Sequence, residues 1–162
     1  MTTSRIDVTL SDLKATEKLG MVLASSLESG GVILLEGALG AGKTTLVQAI
    51  CRHLGVMDCV TSPTYDLLHT YHSSHMTVHH VDGYRLTDPR EWDVLDLPWP
   101  VTPQVVVLAE WGAVLREQYP DRLELCLASR GIETDREVEL QAFGRDWCLR
   151  LNDIAKELQR GL

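Results

Sequence analysis

The chain has 162 residues, 44% of them hydrophobic, and a formal net charge of −8. That length gives one ordinary core without help from a disulfide or a metal. An acidic surface repels phosphate backbones, which argues against direct, charge-driven binding of nucleic acid, though not against contact with RNA inside a larger assembly.

The chain is expected to form a single domain over residues 1–162. At its start, Ile6, Val8 and Leu10 alternate with polar residues, the pattern of a half-buried strand. Ser11-Asp12 offers a helix cap, and Leu13, Leu19, Val22, Leu23 and Leu27 follow on one helical stripe that ends at Gly30-Gly31. Val32 to Leu35 is an unbroken apolar run, as in a strand covered on both faces. A glycine-rich turn comes next, then a helix from about Lys43 to Leu54, stopped by Gly55.

After a Ser62-Pro63 break, a strand is expected from Tyr65, a turn over His72 to His75, and a returning strand from Met76 to Val81 that ends at Asp82. Leu86 to Pro103 holds four prolines and two tryptophans and has room for one helical turn. Val105 to Ala109 is a second buried-strand run, ending at Glu110. Leu123 to Leu127 and Val138 to Phe143 read as antiparallel strands, and Asp146 to Leu158 as a last helix. Strands alternating with helices predict an α/β fold, with a mostly parallel central sheet, helices in layers and added antiparallel strands.

Four cysteines (Cys51, Cys59, Cys126 and Cys148) show no C-x-x-C spacing, so neither a zinc site nor a redox pair is indicated. The first residues carry no apolar stretch, and no run approaches the ~18 residues of a membrane span, so a cytoplasmic protein with free thiols is expected.

Gly37-Ala38-Leu39-Gly40-Ala41-Gly42-Lys43-Thr44 meets every fixed position of the G-x-x-x-x-G-K-[ST] phosphate loop, between a strand and a helix. Glycines let successive backbone N–H groups curl inward around a phosphate, and the helix start adds its positive dipole end. Lys43 is expected to reach the β- and γ-phosphates of ATP, and Thr44 to bind Mg²⁺. Thr45 is a second hydroxyl beside them, placed to face the α-phosphate. This makes Leu39 to Thr45 the nucleotide-binding segment.

Hydrolysis also needs an acid to support the metal and a group to orient water, and strand carboxyl ends are where such groups sit. Glu110 is assigned to Mg²⁺, directly or through water, and Asp82 to the metal or the attacking water. Thr61-Ser62-Pro63-Thr64-Tyr65 has three hydroxyls around a stiff proline and reads as a switch-like segment that senses the γ-phosphate. Arg85 either reaches a phosphate or pairs with Asp88; spacing favours the pair. His69, His72, His75, His79 and His80 crowd one hairpin, but His79 and His80 point to opposite faces of a strand, so a structural metal is not expected. Trp99 and Trp111 read as packing or interface residues.

Leu39-Gly-Ala-Gly-Lys-Thr-Thr45, Ser62-Pro-Thr-Tyr65, His80-x-Asp82-x-Tyr84-Arg85 and Glu110-Trp111 occur together and in order. This combination resembles the TsaE (YjeE) family, over about Asp12 to Leu127. The resemblance implies a P-loop ATPase fold and weak ATP hydrolysis by the isolated protein. It implies a role in bacterial tRNA N6-threonylcarbamoyladenosine synthesis with the TsaD–TsaB pair, which transfers threonylcarbamoyl to an adenosine of tRNA. Hydrolysis would reset that complex between cycles, and tRNA would be met only through it. On the family pattern Lys43, Asp82 and Glu110 are the catalytic set, and the segment before Thr16 lies near the adenine. Three positions depart from that pattern. Ala38 stands where Asp is usual, Val81-Asp82-Gly83 where Phe-Asp-Leu is usual, and Gly112 where Pro follows Trp. Gly83 and Val81 are expected to loosen the strand end that holds Asp82.

A small-molecule kinase is the alternative function, but only Arg85 and Arg90 are candidates for the arginine-rich lid such enzymes carry. A guanine-specific switch protein would need an Asn/Thr-Lys-x-Asp segment, which the sequence lacks.

Overall fold

The computed structural model describes residues 2–131 and 135–161. The elements in chain order are strand β1 (Thr3–Leu10), helix α1 (Leu13–Ser26), β2 (Gly31–Glu36), α2 (Lys43–His53), β3 (Leu68–His72), β4 (Thr77–Asp82), a short α3 (Pro89–Asp93), β5 (Val105–Glu110), β6 (Arg122–Ser129), β7 (Arg136–Phe143) and α4 (Arg145–Gln159). A 3₁₀ turn at Ala113–Arg116, not foreseen from the sequence, follows β5.

All seven strands join one sheet in the order β1-β7-β6-β2-β5-β4-β3. The central four, β6, β2, β5 and β4, run parallel. The outer strands β7 and β3 are antiparallel additions, as expected, and β1 joins β7 antiparallel at the edge. Val32 to Leu35 and Val106 to Ala109 are fully buried, which is why both segments read as unbroken apolar runs.

The layers are uneven. The long helices α1, α2 and α4 share one core with one face of the sheet, through residues such as Leu23, Ile50 and Trp147. The other face is covered by α3, the 3₁₀ turn and the chain around Leu97, whose Trp92, Leu97 and Leu115 pack on Val81 and Val107. Local sequence accounts for the helix ends. The Asp12 side chain accepts from the Ala15 amide at 2.8 Å and caps α1. Asp88 and Glu91 form a reciprocal box around Pro89 at the start of α3.

Two local expectations fail. Leu13 is 75% exposed and lies off the buried stripe of α1, which runs through Ala15, Leu19, Val22 and Leu23. The strand expected from Tyr65 begins only at Leu68, because Thr64 to Leu67 form a turn in which the Leu67 amide donates to the Pro63 carbonyl at 2.6 Å.

Candidate functional site

The parallel strands deliver their carboxyl ends to one edge of the sheet, where β2 runs into the glycine-rich loop. Gly40 (φ 77°) and Gly42 (φ 100°) take the left-handed conformation that side chains resist, which lets the loop curl before α2 begins. Gly42 is the cap residue of α2 and supplies no side chain to it. The first-turn amides of α2 are therefore left for an external acceptor, and the positive dipole end faces the same way.

Lys43 is only 5% exposed. Its ammonium donates to the carbonyls of Gly37 at 2.6 Å and Ala38 at 3.0 Å, and lies 4.4 Å from the centroid of the Trp111 ring. Burial pulls its pKa below the usual lysine range, against the opposing pull of Glu110, Asp82 and Glu36. Glu36, at the end of β2, is pushed up by burial, and its Oε1 has no partner among the described residues.

The two acids assigned from the sequence sit side by side, since Asp82 and Glu110 are register partners in the β4–β5 pair. Both are buried. The Thr44 hydroxyl donates to the Glu110 carboxylate, 2.9 Å from Oε1 and 3.0 Å from Oε2. Asp82 accepts from the Tyr84 amide at 3.0 Å through Oδ1 and from the Ser62 hydroxyl at 2.8 Å through Oδ2. The segment from Thr61 to Tyr65 is thus tied to Asp82. Ser62 and Thr64 bond each other at 2.9 Å, Pro63 is buried, and the Thr61 amide donates to the Tyr71 hydroxyl at 3.3 Å. Tyr65 stands apart from the acids, 85% exposed on the rim.

Several side chains differ from the sequence reading. Arg85 does not pair with Asp88. Asp88 is taken by Arg90, at 2.6 Å, because the α3 cap turns Arg90 back towards it, and the Arg85 guanidinium lies 4.9 Å from the Tyr65 ring centroid instead. Gly83 does not leave the end of β4 loose. The Trp92 indole fills the space a side chain would take there, and the Gly83 amide donates to the Glu110 carbonyl at 2.9 Å. Trp111 takes a left-handed backbone (φ 57°), and its ring packs between Lys43 and Tyr84. It belongs to the site as well as to the packing.

The hairpin histidines scatter their contacts: His69 to Tyr71 and Asp66, His72 to Thr77, His75 to Ser74 and His79 to Thr70. Among the described residues no group of three or more His, Cys, Asp and Glu side chains could hold an ion by itself. His80 was given no role at the site by sequence reasoning. It is fully buried, with Nε2 2.8 Å from Glu110 Oε1. The signal lay in strand alternation, which puts His80 on the same face as Asp82.

Lys43, Thr44, Asp82 and Glu110 line one cavity of about 340 Å³, with Leu39, Gly40, Gly42 and Thr45 along its loop side. A second cavity of about 280 Å³ adjoins it across Gly40, Gly42 and Thr45 and is walled by Leu10, Thr16, Leu127 and Arg136. A larger cleft between α1 and α4, about 430 Å³, holds none of these groups.

Comparison with known proteins gives a consistent result. Residues 10–138 match the family model described as threonylcarbamoyl adenosine biosynthesis protein TsaE. A Nostoc protein named tRNA threonylcarbamoyladenosine biosynthesis protein TsaE is 37% identical over 139 residues, covering 83% of this chain and 84% of its own. The Bacillus subtilis protein of the same name is 33% identical over 146 residues, covering 90% of this chain and 88% of its own. The crystal structure of YdiB from Bacillus subtilis superposes with a TM-score of 0.76 at 23% identity, over 96% of this chain and 97% of that one, a likeness of fold. Among the described residues no helix is long and apolar enough to cross a membrane. The chain belongs to the TsaE family of tRNA threonylcarbamoyladenosine biosynthesis proteins.

Proposed function

We propose that this protein binds ATP with Mg²⁺ at the carboxyl ends of β2, β4 and β5 and hydrolyses it, and that hydrolysis acts on a TsaD–TsaB complex so that tRNA modification can proceed through many cycles. The observation that carries the reading is the meeting of Lys43, Thr44, Asp82 and Glu110 on one cavity at an uncapped helix start. The donor set suits Mg²⁺: a hydroxyl and carboxylates, all hard oxygens, with room for phosphate oxygens to complete the shell. When bound, that ion would withdraw charge from the β- and γ-phosphate oxygens.

The protein groups then divide the remaining work. Lys43 and the first-turn amides of α2 hold the triphosphate. Thr44 and Glu110 hold the metal. Asp82, fixed by Tyr84 and Ser62, orients the attacking water, and its link to Ser62 couples the Thr61–Tyr65 segment to the γ-phosphate. The adjoining cavity takes the nucleoside. Arg85 rests on Tyr65. It also lines the cavity that holds Lys43 and Glu110, within the reach of a phosphate considered from the sequence. The acidic surface fits a protein of the cytoplasm that meets tRNA only through its partners.

Hydrolysis measured with and without the TsaD–TsaB pair tests this. Slow, Mg²⁺-dependent turnover alone and faster turnover with the pair are expected, with calorimetry showing ATP preferred over GTP and binding lost in Lys43→Ala. Undiminished ATP binding by Lys43→Ala, or an ATP-dependent phosphorylated metabolite, overturns the proposal.

A further inference from the structure

The geometry points to His80 as a positioning residue that fixes the Glu110 carboxylate from inside the core. The inference rests on the metal-site reading above and adds a residue to it. His80 lies on β4 two positions before Asp82 and is the register partner of Leu108, two positions before Glu110. Its imidazole therefore sits behind the acid, on the side away from the cavity. The side chains are 0% and 4% exposed, and Nε2 approaches Oε1 at 2.8 Å.

The ring's protonation follows from its partners. The Glu110 carboxylate only accepts, so Nε2 carries a proton. Nδ1 is buried with no hydrogen-bond partner among the described residues. A proton there instead would leave a buried donor unpaired and set the Nε2 lone pair against a carboxylate lone pair. Burying an imidazole whose other nitrogen goes unsatisfied is costly, and packing alone would be served better by an apolar ring. The contact with Glu110 is what the imidazole adds.

This contact has a use that Thr44 cannot supply. Thr44 donates to both Glu110 oxygens, yet its hydroxyl is also the proposed metal ligand. A carboxylate oriented only by that hydroxyl would lose its hold whenever the hydroxyl turned. His80 anchors Oε1 to the backbone of β4, independently of the phosphate loop, and leaves Oε2 to face the cation or its water.

The test compares His80→Phe, which fills the space without a donor, with His80→Gln, which keeps an N–H. The probe is Mn²⁺, its binding to the complex with a non-hydrolysable ATP analogue followed by electron paramagnetic resonance. His80→Phe is expected to weaken Mn²⁺ binding by about tenfold or more, with His80→Gln recovering most of the loss. Ring ¹⁵N shifts of the wild-type protein are expected to show a proton on Nε2. Wild-type Mn²⁺ affinity in a folded His80→Phe, or an Nε2 without a proton, overturns the inference; should His80→Phe not fold, the ring shifts decide. Thr44→Ala separates the two levels. If it also binds Mn²⁺ normally, the metal-site reading fails; if it loses Mn²⁺ while His80→Phe does not, only the role of His80 fails.

Discussion

Two glutamates are buried in this sheet, Glu110 on β5 and Glu124 on β6, and their surroundings are opposite. Glu124 is held by two guanidiniums, with Arg116 at 2.9 and 2.8 Å and Arg122 at 2.7 Å. Arg122 is itself braced by the Tyr119 carbonyl at 3.2 Å and lies 4.1 Å from the Phe143 ring centroid. Glu110 receives only a hydroxyl and an imidazole, with Lys43 near enough to act through space but bonded elsewhere. A carboxylate wedged between arginines has its charge spent within the fold. One met by a hydroxyl and an imidazole has no guanidinium bound to it. Burial is common to both, so burial does not set the proposed metal-site acid apart from the clamped one; the partners do.

The comparison can be broken at either acid. Glu110→Gln keeps the shape and an acceptor for His80 but removes the charge. It should cut ATP turnover by about a hundredfold, as expected for loss of one group that stabilises developing charge, while ATP affinity and thermal stability change little. Steady-state hydrolysis beside calorimetry reads this, and full turnover would end the distinction. Glu124→Ala should do the reverse. Leaving Arg122 buried and unpaired is expected to cost about 3 kcal/mol, a drop of roughly 6–12 °C in Tm, with turnover at a permissive temperature unchanged. A variant as stable as the wild type would show that the arginine clamp holds nothing.

Lys43→Met sharpens the contrast with a smaller effect. Because burial depresses the Lys43 pKa, the folded state disfavours its charge, so the variant should melt above the wild type while losing ATP. The sign with pH is fixed. Below the folded pKa both states carry the proton and the full cost stands. As pH rises through the folded pKa towards the ordinary lysine value of 10.5, the unfolded chain holds more protons, the wild type gains stability, and the advantage of Met shrinks. Calorimetric melts across alkaline pH check it; an advantage that grows with pH would refute burial as the cause.

The sequence was most informative where chemistry and chain order coincide. The glycine-rich loop motif takes eight consecutive residues, so it was readable in one stretch together with its strand and helix. Asp82 and Glu110 were readable as strand ends because an acid after an apolar run is a local pattern. Contacts that depend on strand register were hidden. His80 meets Glu110 only because β4 and β5 pair in parallel with a particular offset, so the sequence offered His80 as part of a motif but not its contact with Glu110. The clamp on Glu124 needs the unforeseen 3₁₀ turn to carry Arg116 back over β6. The pairing of β1 with β7 joins the two ends of the chain, which no local periodicity encodes. Arg85 was assigned by spacing, but capping at Asp88 gave that partner to Arg90.

Gly83 and Trp92 have a consequence for how this chain can change. The indole occupies the volume where a side chain at position 83 would grow, so a larger residue there collides with the ring. Reducing Trp92 alone opens a void under the strand end that carries Asp82. The two positions are therefore sterically coupled, with the Trp111 carbonyl 3.0 Å away as a further wall. A chimera built with a relative that has leucine after the aspartate must transplant both sites or neither.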